Sequence, residues 1–158
     1  MSFLRFLMLL SLVVWLGGVI FFAAAVAPTV FSVLPTRHLA GNVVNRSLHI
    51  LHWMGIISGV VFLASSMIHA RLTTGVAHPF ACRHVLLYLM LMLTLISQFG
   101  ISPKMADLRT SMGDIDAVSP TDPARIQFNA LHVWSTRLEG GVLVMGLVVI
   151  YLVARSIP

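Results

Sequence analysis

Charge is scarce in this chain of 158 residues: Asp, Glu, Lys and Arg together make up 9%, against 58% hydrophobic residues. The scarcity is also uneven. No charged residue occurs from Phe6 to Thr36 (31 residues), from Ser47 to Ala70 (24) or from His84 to Pro103 (20), and a fourth gap, Gly140 to Ala154, is 15 residues long. A spanning helix needs about 20 apolar residues to cross roughly 30 Å of hydrocarbon, so three gaps span unaided and the fourth falls short. The composition is that of a multi-pass membrane protein with the lipid bilayer as its first partner. Cysteine is nearly absent too; Cys82 alone excludes an intrachain disulfide. Also missing are an internal repeat, a low-complexity tract, a Gly-rich phosphate loop, a nucleophile elbow and a paired-carboxylate site. Nothing names a reaction, and the expectation leans away from an enzyme.

What charge there is sits at the ends of segments. A net +5 and a pI near 10.7 would suggest nucleic acid in a soluble protein. Here Lys and Arg fall where they anchor helices and set topology, so no nucleic-acid partner is expected. The first gap competes with a signal peptide, because Arg5 precedes an apolar run and Ala23-Ala24-Ala25-Val26-Ala27 resembles a cleavage site. The run from Phe6 to Ala27 is longer than a signal h-region of roughly 7 to 15 residues, and Pro28 would follow the cut directly. The segment is therefore read as a span.

The expected architecture is all-α: an antiparallel four-helix transmembrane bundle forming one integral membrane domain over 1–158, with spans at about 3–27, 47–69, 83–101 and 130–155. Pro28 is read as the stop of the first helix. Thr36 to Arg46 is amphipathic and either lies at the interface or leads into the second span. Gly75 and Pro79 mark the next turn, and Lys104 to Met112 continues the third span past Pro103 as a short polar helix. Gly113 to Pro123 has loop composition, and Thr121 or Asp122 is the N-cap of a helix opened by Pro123. The last gap covers only about 22 Å, so Trp134 to Gly140 must also enter the membrane and bring Arg137 and Glu139 with it. Arg5, Arg71, Arg83 and Arg155 share the terminal side with no acid, and Arg37, Arg46, Lys104, Arg109, Arg125 and Arg137 share the other with all five acids. Raw count favours the second side as cytoplasmic and density per loop residue the first, and the expectation is termini inside, in a bacterial inner membrane.

Antiparallel spans fix which polar residues share a depth. With the midplane near Gly59, Leu91 and Val144, His52, Gln98 and Glu139 all lie roughly 7 to 11 Å to one side of it and can meet. Phe128, His132, Ser135, Glu139, Val142 and Gly146 follow steps of four and three along one helical face. His52, Gly55, Gly59 and Ser66 share another, where Gly55-xxx-Gly59 permits close approach of a second backbone. Ionisable groups facing lipid are costly, so these faces are the expected interior seam, with His49, Gln98, Lys104, Ser135 and Arg137 beside it. His52 and His132, facing one another, could ligate haem iron axially; His52, His132 and Glu139 could hold a transition metal. The plainer reading places the histidines near the headgroups and pairs Glu139 with Arg137 or Lys104. Cys82 and His84 read as ordinary interfacial residues, Trp53 and Trp134 as an aromatic belt, and the nine methionines as packing.

Trp15-Leu16-Gly17-Gly18 with Ala27-Pro28 and Phe31, then Ala40-Gly41, Pro103-Lys104-Met105 with Arg109, and Phe128-xx-Leu131-His132-xx-Ser135 together resemble the transmembrane-protein-205-like family, also called domain of unknown function 4149. The resemblance extends over nearly the whole chain. It implies a small four-span protein and supplies no reaction. A looser similarity in size and topology extends to copper-resistance membrane domains and to haem-binding membrane protoporphyrinogen oxidases, although this sequence has no His near the start of its first helix. The functional expectation is a non-enzymatic membrane protein whose seam handles a small ligand or ion, or serves assembly with its own copies or another membrane protein; the alternative is a haem- or metal-binding redox protein.

Overall fold

A computed structural model describes residues 2–155. Four helices, Ser2–Val33, Arg37–Thr74, Cys82–Met112 and Pro123–Arg155, are each long and apolar enough to cross a membrane, and no strand occurs among the described residues. The first helix packs along the second, the third along the fourth, and contacts between second and third and between first and fourth close a ring. The ends of the helices meet as an antiparallel order requires. Arg5 reaches His69, near the end of the second helix; Arg109, near the end of the third, reaches Gly41, near the start of the second.

Local chemistry sets the boundaries. Thr36 accepts from the Leu39 N–H at 3.2 Å as N-cap of the second helix, so the amphipathic stretch leads straight into the span. Gly75, at φ 77°, closes that helix, a left-handed position that glycine adopts without steric cost. Asp122 caps the fourth helix through its Oδ1, which accepts from Ala124 N–H at 2.8 Å and Arg125 N–H at 3.4 Å.

The two prolines do not end their helices. The chain continues past Pro28 to Val33 and past Pro103 to Met112, each time after a π-helical turn, Phe22–Val26 and Ile96–Ile101. The Ala27 N–H bonds to Phe22 O and the Ser102 N–H to Ser97 O, both five residues back. Each such bond is donated by the residue just before a proline. The proline ring clashes with the carbonyl four residues earlier and offers it no hydrogen; a widened turn relieves both problems. The helices consequently run beyond the expected spans. At 1.5 Å per residue the second, of 38 residues, is about 57 Å long, well beyond the hydrocarbon thickness.

The ring encloses Leu12, Trp15, Leu16, Phe62, Leu87, Met90, Val142 and Val149, all nearly inaccessible. Glycine makes the close packing available. A Cβ at Gly55 would overlap the Trp15 indole, one at Gly59 would lie 2.7 Å from Leu91 Cδ2 and 2.9 Å from Trp15 Cζ3, and one at Gly146 would overlap Leu16. The Gly55-xxx-Gly59 pair thus receives an indole where the sequence suggests a second backbone, because Trp15 fills the groove that two missing side chains leave. Outside, Val13, Phe21, Ile57, Val144 and Tyr151 are each at least 60% exposed. An apolar exterior around so small a core matches hydrocarbon, not water. The protein is an integral multi-pass membrane protein.

Candidate functional site

Polar groups cross the bundle between the second, third and fourth helices. His52 is 1% exposed and Gln98 2%; the Glu139 side chain is 18% exposed. His52 Nδ1 lies 2.8 Å from Gln98 Oε1, and His52 Nε2 lies 2.6 Å from Glu139 Oε1. Gln98 Nε2 lies 2.6 Å from Nδ1 of His49, whose ring is on the exposed side of the second helix. Gln98 comes from the π turn that precedes Pro103, a setting in which local helix distortion is common at functional sites.

Donor and acceptor chemistry fixes most of the protons. An amide oxygen only accepts, so His52 Nδ1 carries a hydrogen and donates it to Gln98. The amide nitrogen donates to His49 Nδ1. Between His52 Nε2 and Glu139 Oε1 there is then one hydrogen to place. On the carboxyl it makes a neutral acid bonded to a neutral imidazole; on the ring it makes a carboxylate bonded to an imidazolium. Both arrangements satisfy the same heavy-atom geometry, and the second is a charge-assisted pair. Glu139 is the only glutamate in the chain, and its side chain is only part-buried. Beside Gln98 in sequence, the Ser97 hydroxyl is buried with no hydrogen-bond partner.

The structure thus brings together His52, Gln98, Glu139 and His49. It does not bring in His132, which is exposed, and the expected facing of His52 and His132 does not occur. The packed stripe of the fourth helix runs through Phe128, Leu131, Ser135, Leu138 and Val142, so its covered side is centred one residue, about 100°, away from His132. Ser135 is buried on that stripe. Glu139 takes neither expected cation: Arg137 is exposed with its guanidinium 5.6 Å from the Trp134 ring centre, and Lys104 is exposed. With His132 outside and both ring nitrogens of His52 engaged, the set His52, His132 and Glu139 is not assembled for a metal, nor His52 and His132 for haem. No group of three or more His, Cys, Asp or Glu among the described residues is placed to hold a metal ion.

Two other buried polar contacts have weak sequence signals. Arg109, 8% exposed, donates through Nη1 to the Gly41 carbonyl at 2.7 Å and stands 5.3 Å over the Phe128 ring centre. A Cβ at Gly41 would lie 3.0 Å from its Cζ. His84, fully buried, is 2.8 Å from the Ser66 hydroxyl and 2.8 Å from the His78 carbonyl, although its place beside Cys82 suggests an interfacial residue. The signal available was Ser66, whose hydroxyl on a buried face needs a partner.

Gly41, Arg109 and Trp15 belong to the short motifs that carry the family resemblance, and here they form the contacts that lock the first three helices. A family model described as domain of unknown function (DUF4149) matches residues 10–114. The chain belongs to this family. The match covers three of the four helices of this DUF4149 protein and ends before Phe128, so Glu139, which completes the seam, lies outside it. No curated protein and no solved structure matches the chain.

Proposed function

We propose that this DUF4149 protein is a non-enzymatic membrane protein whose intramembrane seam takes up and releases one proton at the His52–Glu139 pair. The observation that carries the reading is the 2.6 Å contact between His52 Nε2 and Glu139 Oε1, with the opposite ring nitrogen held by Gln98. Gln98 orients the imidazole and cannot readily pass a proton on, since its amide would have to change tautomer. Exchange with the surroundings therefore goes through the part-buried Glu139 side chain. With the proton bound, the pair is joined by one hydrogen bond, neutral or charge-assisted according to which atom keeps the hydrogen; with the proton released, the carboxylate faces the bare Nε2 lone pair and that bond between the second and fourth helices is lost. The same reading has the termini on the cytoplasmic side of a bacterial inner membrane.

Infrared difference spectroscopy of the protein in lipid nanodiscs, stepped between about pH 4 and 9, tests this. A protonated-carboxyl C=O band that titrates in the wild type, is missing in Glu139→Gln, and moves in His52→Ala is expected. Absence of any titrating band assignable to Glu139 overturns the proposal. So does a Soret band or stoichiometric metal that is lost in His52→Ala, since ligation by His52 would require it to leave Gln98 and Glu139.

A further inference from the structure

At the opposite end of the bundle, four arginines, Arg5, Arg71, Arg83 and Arg155, lie at helix ends, and all five acids lie elsewhere: Asp107, Asp114, Asp116 and Asp122 at the far end and Glu139 in the seam. Between the start of the first helix, the end of the second and the start of the third is a cavity of about 210 Å³. Its polar wall comprises Arg5, His69, Thr73, Thr74, His78 and Arg83, over an apolar floor that includes Met8 and Ala70.

The wall carries two guanidiniums and, among the described residues, no acidic side chain. Arg5 donates through Nε to His69 Nε2 at 3.3 Å, which puts the His69 hydrogen on Nδ1 and leaves both terminal nitrogens of Arg5 available. Thr73 and Thr74 donate their hydroxyl hydrogens to backbone carbonyls of His69 and Ala70, each at 2.8 Å. They brace the helix end without neutralising the arginines. Arg83 Nε is buried and has no hydrogen-bond partner. A buried guanidinium nitrogen without an acceptor is costly, and two guanidinium groups lining one cavity with no acidic side chain among the described residues repel one another.

We propose that this cavity binds a phosphate group, held between the Arg5 and Arg83 guanidiniums. A tetrahedral, multiply charged anion presents oxygens to two guanidinium forks at once and brings negative charge to a lining that has no acidic side chain among the described residues. The size suits a phosphate or a small phosphoester and excludes a large ligand. Because the cavity opens at a helix end, its phosphate can come from a phospholipid headgroup or from solution. The proposal is independent of the seam: no residue is shared.

Native mass spectrometry and calorimetry on the full-length protein in neutral detergent test it, with inorganic phosphate, phosphatidylglycerol and phosphatidylcholine as separate probes. Retention of phosphatidylglycerol over phosphatidylcholine, or saturable binding of inorganic phosphate, is expected; which of the two occurs identifies the source. Arg5→Gln and Arg83→Gln each weaken binding roughly tenfold, while Arg71→Gln, outside the cavity, leaves it unchanged. Failure of both phosphate probes to bind overturns the proposal, as does an equal loss in Arg71→Gln, which would mark diffuse surface charge. Thermal stability of the ligand-free variants is measured alongside; a loss of binding with unchanged melting locates the effect in the cavity.

Discussion

Each side chain in the seam is asked to satisfy a different number of neighbours, and the consequences of replacing it differ accordingly. His52→Ala leaves the buried Gln98 oxygen and the part-buried Glu139 carboxyl without their shared partner, an expected destabilisation of about 1–3 kcal/mol for the groups left unpaired. Glu139→Gln keeps a donor opposite His52 Nε2 and removes only the exchangeable charge, so its expected effect is under about 1 kcal/mol, within the range measured for hydrogen bonds between membrane helices. His49→Ala falls at the exposed end and is expected to resemble the glutamine variant. Unfolding in mixed micelles by a graded denaturing detergent measures all three; an order other than His52→Ala as the most damaging would mean that the seam is not the anchor its geometry makes it. His52, Gln98 and Glu139 were legible in the sequence because charge-free lengths fix depth, and depth in an antiparallel bundle is shared. His132 was misread for an equally physical reason. Helical periodicity assigns a face, but which flank of that face a neighbour covers depends on where the next helix stands, and Leu131 at one residue's rotation is covered instead.

Helices here owe their spacing to what is missing from them. Leu16 occupies the place of a side chain at Gly146, and Trp15 those at Gly55 and Gly59, so the first helix is keyed to the second and the fourth by two consecutive residues. Gly146→Ala is expected to destabilise by about 1–3 kcal/mol, the range for overpacking a filled core. Gly17→Ala, with nothing within 4 Å of its new Cβ, is expected to be neutral or slightly stabilising because alanine is the better helix former. Combining Gly146→Ala with Leu16→Ala should recover part of the loss, and a purely additive double mutant would show that these two residues do not oppose one another. That glycines lie on an inner face could be read from spacing; that an indole would fill the gap could not, since Trp15 and Gly55 are related only through the crossing of two helices. The π turns were equally hidden. In water a proline inside a helix is read as its end, whereas in a bilayer an ended helix exposes backbone groups to hydrocarbon, and a widened turn before Pro28 and Pro103 keeps the helix intact.

Across the whole molecule, the two ends of the bundle handle positive charge in opposite ways, and this bears on how it sits in a membrane. At the acidic end, Arg37 pairs with Asp116 at 3.7 Å, Arg109 is buried on the Gly41 carbonyl and Arg125 donates to the Val118 carbonyl. At the terminal end no acidic side chain among the described residues stands near Arg5, Arg71, Arg83 or Arg155, and each lies within a few residues of a helix end, the position at which Lys and Arg most strongly hold a segment on the cytoplasmic side. Termini inside is the orientation that leaves these four untranslocated. The single cysteine gives a direct readout, because Cys82 is exposed at the start of the third helix on the terminal side. A membrane-impermeant maleimide is expected to modify Cys82 in inverted inner-membrane vesicles and to spare it in spheroplasts. In a Cys82→Ser background, Ala117→Cys in the acidic loop should give the reverse pattern. Labelling of both positions from the same face would contradict four spans; the two patterns exchanged would place the arginine cavity, and the phosphate group proposed for it, on the outer face, where the headgroups it meets belong to the other leaflet.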